Sequence, residues 1–292
     1  YPYGGAKTDP TVAARKIVAE QMVATLVEHK AVLKMLDAIE AGLALLEESP
    51  DALSTTEHSK ESAATENSAA KSKLPKSIQS LWSAMWNIMN KQASKEMLPE
   101  DRKLKLFKVS VSCMELLGKK DQKIAGNILK ILRHILPPDS EFSAEGIQAI
   151  KDSFAMNKIV DAVVAKSEYW IEPDATPEVP NEGFCKSLIQ FLYRYVKLPG
   201  MTEDIPHSVW ESRVVSTTAR CMKEYPKQKE IHWCGTRILA MAFDEVSIPR
   251  ENMEKLGALS AIAVTVENYK SDDEDATKKK ALELMTKLTP TA

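Results

Sequence analysis

The chain has 292 residues, 44% of them hydrophobic, a formal net charge of −2 and only 10 glycines. That is enough apolar material for a large core, and the scarcity of glycine and of long β-branched runs argues against an all-β fold or a doubly wound sheet. The near-neutral balance argues against generic binding to a phosphate backbone, so DNA is not an expected partner, and no apolar run of about 18 residues offers a transmembrane helix.

Residues 1–8 read as an extended tail that opens Tyr-Pro-Tyr-Gly-Gly, without Met. Asp9 followed by Pro10 is a helix start, a carboxylate cap and then a proline whose missing N–H costs nothing in the first turn. A long amphipathic helix is expected over 9–48. Val18, Met22, Thr25, His29, Val32, Leu36, Ile39, Leu43 and Leu46 alternate spacings of three and four along it. This seam suits either burial against the rest of the fold, as a cap on a first repeat, or pairing with a partner helix. Residues 49–76 are polar, small and nearly free of bulky apolar side chains, which predicts a flexible linker.

From residue 77 helices dominate. The expected elements are 77–92, 99–117 with Gly118 at the stop, 122–136 ended by Pro137 and Pro138, and a helix capped by Ser143. A further helix is expected over 158–166, then an irregular insertion over 167–182 with Pro173, Pro177 and Pro180. Helices over 184–196, 208–224, 228–243, 249–269 and 271–288 complete the chain. Ser271 with Glu274 makes a capping box on the last.

One piece of helix chemistry recurs. Ala125, Leu129 and Leu132 lie at i, i+4 and i+7, as do Cys185, Ile189 and Leu192, then Cys234, Ile238 and Met241, then Ala281, Met285 and Leu288. A small residue followed by two larger ones lets a helix approach a neighbour closely and then lock. Recurrence on the order of 50 residues is the mark of stacked helical repeats. The expected fold is therefore all-α, an α-solenoid over 77–292, and such stacks are usually binding surfaces.

The stretch Glu251-Asn-Met-Glu-Lys-Leu-Gly-Ala-Leu-Ser-Ala-Ile262 resembles an armadillo-type repeat, with Ala281, Leu282, Met285 and Leu288 similar to its inner third helix. In that family a glycine such as Gly257 turns the chain between a short and a longer helix, and only glycine takes a positive φ without strain. The resemblance covers residues 228–288. It implies a right-handed superhelix whose concave groove holds a partner protein, as a scaffold, adaptor or complex subunit. Nuclear-import armadillo proteins repeat Trp-x-x-x-Asn on the inner helix; here that spacing occurs at Trp86 and Asn90, and one copy forms no ladder.

Lys130, Arg133, Arg194, Arg237 and Lys287 are long and charged among the apolar triplets, so they are the candidate exposed groove residues. Tyr193 joins them, since Tyr193 with Arg194 would also suit stacking on bases. RNA is thus the alternative partner. Trp82 and Trp86 share a face with Met85 and Met89, which suits either a core stripe or a partner groove. No phosphate loop, nucleophile elbow or metal-ligand spacing occurs, so no catalytic residue, cofactor or metal is expected. His134 and His232 read as satisfied packing histidines. Cys113, Cys185, Cys221 and Cys234 lack Cys-x-x-Cys spacing and read as reduced buried thiols. The expected compartment is reducing: the cytoplasm, or an organelle interior after removal of a targeting segment.

Overall fold

The computed structural model describes residues 31–48, 66–90, 98–118, 122–136, 142–152, 182–269 and 276–289. Among these residues every regular element is a helix and none is a strand, as the composition and periodicity require. The start at Asp9 and Pro10, the helix over 158–166, the proline-rich insertion and the Ser271 capping box lie outside them. The chain divides into two compact units, residues 1–109 and 110–292.

In the first unit, α1 (Ala31–Glu47) buries Val32, Leu36, Ile39, Leu43 and Leu46. Those five positions are the second half of the seam. α2 (Glu66–Met89) packs against α1 and buries Ile78, Trp82, Met85, Ile88 and Met89. This helix starts well before Ser77, so residues 66–76 are helical where a linker is expected. Ala69, Ala70 and Lys71 carry little apolar bulk but are good helix formers, and Pro75 within the helix removes a single backbone donor. Because α2 packs on α1, residues 77–89 belong with the N-terminal unit and not with a domain running from 77 to 292.

α3 (Glu100–Cys113) has Glu100 and Asp101 in its first turn, where the helix dipole favours them. Lys105 on α3 reaches Asp37 at 2.6 Å and Glu40 at 3.3 Å, two α1 carboxylates one turn apart. α3 runs on into a wider π-helical segment, Met114–Gly118, and stops at the expected glycine.

The second unit contains α4 (Gln122–Ile135), α5 (Ala144–Asp152), α6 (Glu182–Val196), α7 (Met201–Asp204), α8 (His207–Val209), a π-helical segment (Trp210–Val215), α9 (Ser216–Glu224), α10 (Lys229–Asp244), α11 (Arg250–Lys255), α12 (Ala258–Asn268) and α13 (Ala276–Leu288). Ser143 caps α5 as expected: its Oγ accepts the Gly146 N–H at 3.0 Å. The four helices that carry the recurrent triplets pack in series, α4 on α6, α6 on α10 and α10 on α13. Ala125, Leu129 and Leu132 are buried, as are Cys185, Ile189 and Leu192. Cys234, Ile238, Ala281 and Leu288 are buried too, while Met241 and Met285 are half-buried. α9 packs on α12, and α12 on α13.

Two glycines are required by this packing. Gly257 joins α11 to α12 at φ 79, in the left-handed region. A Cβ at Gly235 would fall 2.5 Å from the Met222 sulfur, so its absence allows α10 to approach α9. The helix expected over 208–224 is interrupted by its π-helical segment, which opens at fully buried Trp210.

Candidate functional site

Two neighbouring helices repeat one arrangement. On α6, Lys197 stands four residues after Tyr193, and its ammonium lies 5.6 Å from the Tyr193 ring centre. On α10, Arg237 stands four residues after Trp233, and its guanidinium lies 3.9 Å from the indole centre. Spacing of i, i+4 puts both partners of each pair on one helix face, and a ring face attracts a cation through its quadrupole. Arg237 Nη1 also donates to the Trp233 carbonyl at 2.9 Å.

The two pairs meet through their rings. Tyr193 and Trp233 are edge-to-face, with centroids 5.2 Å apart and planes at 81°. Tyr193 is 9% exposed and Trp233 is 37% exposed. Trp233 therefore presents an aromatic surface to solvent while its orientation is held by a ring edge and a stacked guanidinium.

A depression opens on each side of this cluster. One, of about 490 Å³, is bordered by Gln190, Tyr193, Arg194, Trp233 and Cys234, and its lining is largely apolar. The other, of about 370 Å³, is bordered by Tyr193, Lys197, Arg237, Met241, Glu245 and Lys280. One carboxylate beside each depression is already paired. Glu230 accepts from Lys186 at 2.5 Å, which holds its carboxyl below the usual range. Asp244 accepts from Lys287 at 2.6 Å.

The expected groove residues take different places. Arg237 and Tyr193 belong to the cluster just described. Arg133 and Arg194 are half-buried, not exposed, because both are used inside the helix row. Arg133 donates to the Gln190 side chain. Arg194 donates to the main-chain carbonyls of Arg133 and, at 3.2 Å, of Leu136. Burial lowers the pKa of each guanidinium, and in Arg194 the neighbouring Arg133 charge lowers it further. Lys130 is half-buried on α4, and Lys287 is committed to Asp244. Trp82 lies fully buried in the N-terminal unit, so it is core and cannot present itself to a partner; Trp86, one turn on, is half-buried. The face that suited two uses is largely a core stripe, because Trp82, Met85 and Met89 are buried.

Trp233 is the residue that sequence reasoning passed over. Looking for asparagine four places after each tryptophan, it stops at Arg237. The signal was there in another form, since an aromatic with a cation at i+4 is itself a readable pair.

The four thiols are buried packing groups. Burial pushes Cys234 up to about 12. A hydrogen bond with Cys185, and then burial, raises Cys221 well above the normal thiol range. His232 is fully buried and bonded at both ring nitrogens, to Thr265 Oγ1 at 2.7 Å and to the Tyr225 carbonyl at 3.1 Å. Among the described residues no three of His, Cys, Asp or Glu are grouped to hold a metal ion, and no helix is long and apolar enough to cross a membrane. No protein-family model, no curated protein and no solved structure matches this chain.

Proposed function

We propose that this chain is a non-catalytic helical-repeat protein, armadillo-like in arrangement, that acts as a scaffold, adaptor or subunit by holding a protein partner on the face of α4, α6, α10 and α13. The observation that carries this reading is Trp233, a large ring left in solvent yet fixed in orientation by Tyr193 and Arg237. Aromatic and arginine side chains dominate binding energy where protein surfaces meet, and a ring already fixed loses little freedom on contact. Serial packing of α4, α6, α10 and α13 supports a repeat arrangement, since in a stack each unit contacts its neighbours. Cys221 and Cys234 are unsuited to be nucleophiles, because a cysteine nucleophile needs a thiolate and both are held protonated.

The test is affinity purification of the full chain from its native source beside Trp233→Ala and Arg237→Glu variants of verified helix content. Proteins that co-elute with the wild type and are lost from both variants support the reading. An identical set from all three removes this face from binding. The RNA alternative has less support: Tyr193 is covered by Lys197 and edge-on to Trp233, so it offers no free face for a base.

A further inference from the structure

We infer that the occupant of the α6–α10 face is an extended peptide segment carrying one large apolar side chain and one carboxylate about two or three residues away; this rests on the protein-binding reading above. The apolar side chain fits the larger depression, where the Trp233 ring and the neutral Cys234 thiol present apolar surface. The carboxylate fits the smaller one, under Lys197 and Arg237.

Charge decides the second half of this assignment. Lys197 and Arg237 stand over aromatic rings, and neither reaches a carboxylate among the described residues. Their charges therefore face the depression without an opposite charge bound to them. Asp244 is paired with Lys287 and Glu230 with Lys186, so these carboxylates cancel little of that field. Lys280 at the rim adds a further positive charge, shared with Glu283 at 3.6 Å. Glu245 borders the same depression with no cation paired to it among the described residues, and a second negative charge beside the first would meet it. One acidic residue is favoured over an acidic run, and a polyphosphate strand is disfavoured for the same reason.

Spacing follows from helix geometry. On α10, Trp233 and Cys234 border the larger depression, and Arg237 and Met241 border the smaller. A helix rises ~1.5 Å per residue, so the midpoints of these two pairs lie roughly 8 Å apart along α10. An extended chain advances ~3.3 Å per residue, which puts the two anchors about two or three residues apart in either chain direction.

The experiment is selection of a phage-displayed library of random peptides, about twelve residues long, on the immobilised full chain, with Trp233→Ala as the counter-screen. Enriched peptides are then titrated by fluorescence anisotropy against wild type and Arg237→Gln. The expected result is enrichment of a large apolar residue with Asp or Glu at the second or third position before or after it. Replacing that acid by its amide should weaken binding about tenfold, the usual scale for a bond to a charged group. In Arg237→Gln the advantage of the acid over the amide peptide should shrink severalfold, a coupling that general damage to the fold would not produce. Enriched peptides that need Trp233 but lack an acid would overturn this inference and leave the protein-binding reading standing. If no peptide depends on Trp233, and oligouridine binds in its place, both fall.

Discussion

The Arg194 guanidinium donates to the main-chain carbonyl of Arg133 and so ties α6 to the C-terminal end of α4. The last carbonyls of a helix have no partner within it and carry partial negative charge. Arg194 meets two of them, the second on Leu136 at 3.2 Å. Arg133 in turn donates across to Gln190 on α6. The two arginines thus cross between the same pair of helices in opposite directions. A charged side chain that looks like a binding residue in a linear reading is here part of the joint between neighbouring helices.

Arg194→Met should therefore lower stability by about 1–2 kcal/mol, the range for a partly buried cation at a helix end. Arg194→Lys should recover part of that loss. Arg237→Met, half-buried but with its hydrogen bond and ring contact inside α10, should cost less than about 1 kcal/mol. Urea midpoints at constant slope measure all three. Equal losses for Arg194→Met and Arg237→Met would contradict the division between a residue that joins two helices and one bonded within its own helix. The same division shows why Arg237 is the better probe of binding: reversing Arg194 would disturb the helix row itself.

Gly257→Ala should cost about 1–2 kcal/mol, because φ 79 is strained for any residue with a Cβ. The added carbon would also stand 3.1 Å from the Lys223 ammonium, which must give way. Gly257→Asn should cost less, since asparagine tolerates the left-handed region better. Thermal unfolding of the full chain ranks the two variants. An alanine variant as stable as the wild type would mean that the corner between α11 and α12 opens without loss.

The second unit was legible in the sequence to the extent that local signals agree with packing. The four triplets, Gly257 and the Ser143 cap each state their role through residue type and spacing alone. The start of α2 was hidden because residues 66–76 lack the apolar stripe by which helices are recognised, although alanine and lysine favour helix. The π-helical segment from Trp210 to Val215 carries no such local signal, and a wide turn there depends on how the fully buried Trp210 ring is accommodated. At the site, Tyr193 and Arg237 were readable as isolated residues. Their connection through Trp233 was not, because the register between α6 and α10 decides which ring edge meets which face.

The four cysteines should be slow to alkylate in the folded chain. All four are buried, and Cys234 is pushed up to about 12. Iodoacetamide at about pH 8, near the pKa of an ordinary thiol, should label them only after denaturant is added, as intact mass would record. Rapid labelling of Cys234 in the native chain would show that the Trp233 depression admits reagent to its floor.

His232 supplies the pH prediction. The Tyr225 carbonyl can only accept, so the proton of the neutral ring sits on Nε2, and Nδ1 accepts from the Thr265 hydroxyl. That hydroxyl also lies 3.1 Å from the Ala261 carbonyl. Protonating Nδ1 would turn the hydroxyl toward Ala261 and leave a cation in the core. Burial accordingly holds the imidazole below its ordinary value of 6.5, although the bond to the Tyr225 carbonyl opposes this. Above 6.5 the ring is neutral in both folded and unfolded chains and adds no pH dependence. Below it the unfolded chain takes up a proton that the folded chain resists, so stability falls as pH drops toward the lowered value. His232→Gln cannot titrate, so its deficit against the wild type should shrink as denaturation is repeated from pH 7.5 down to about 5.5. A deficit that stays constant or grows over that interval would show that the folded chain accepts the proton at His232 as readily as the unfolded one.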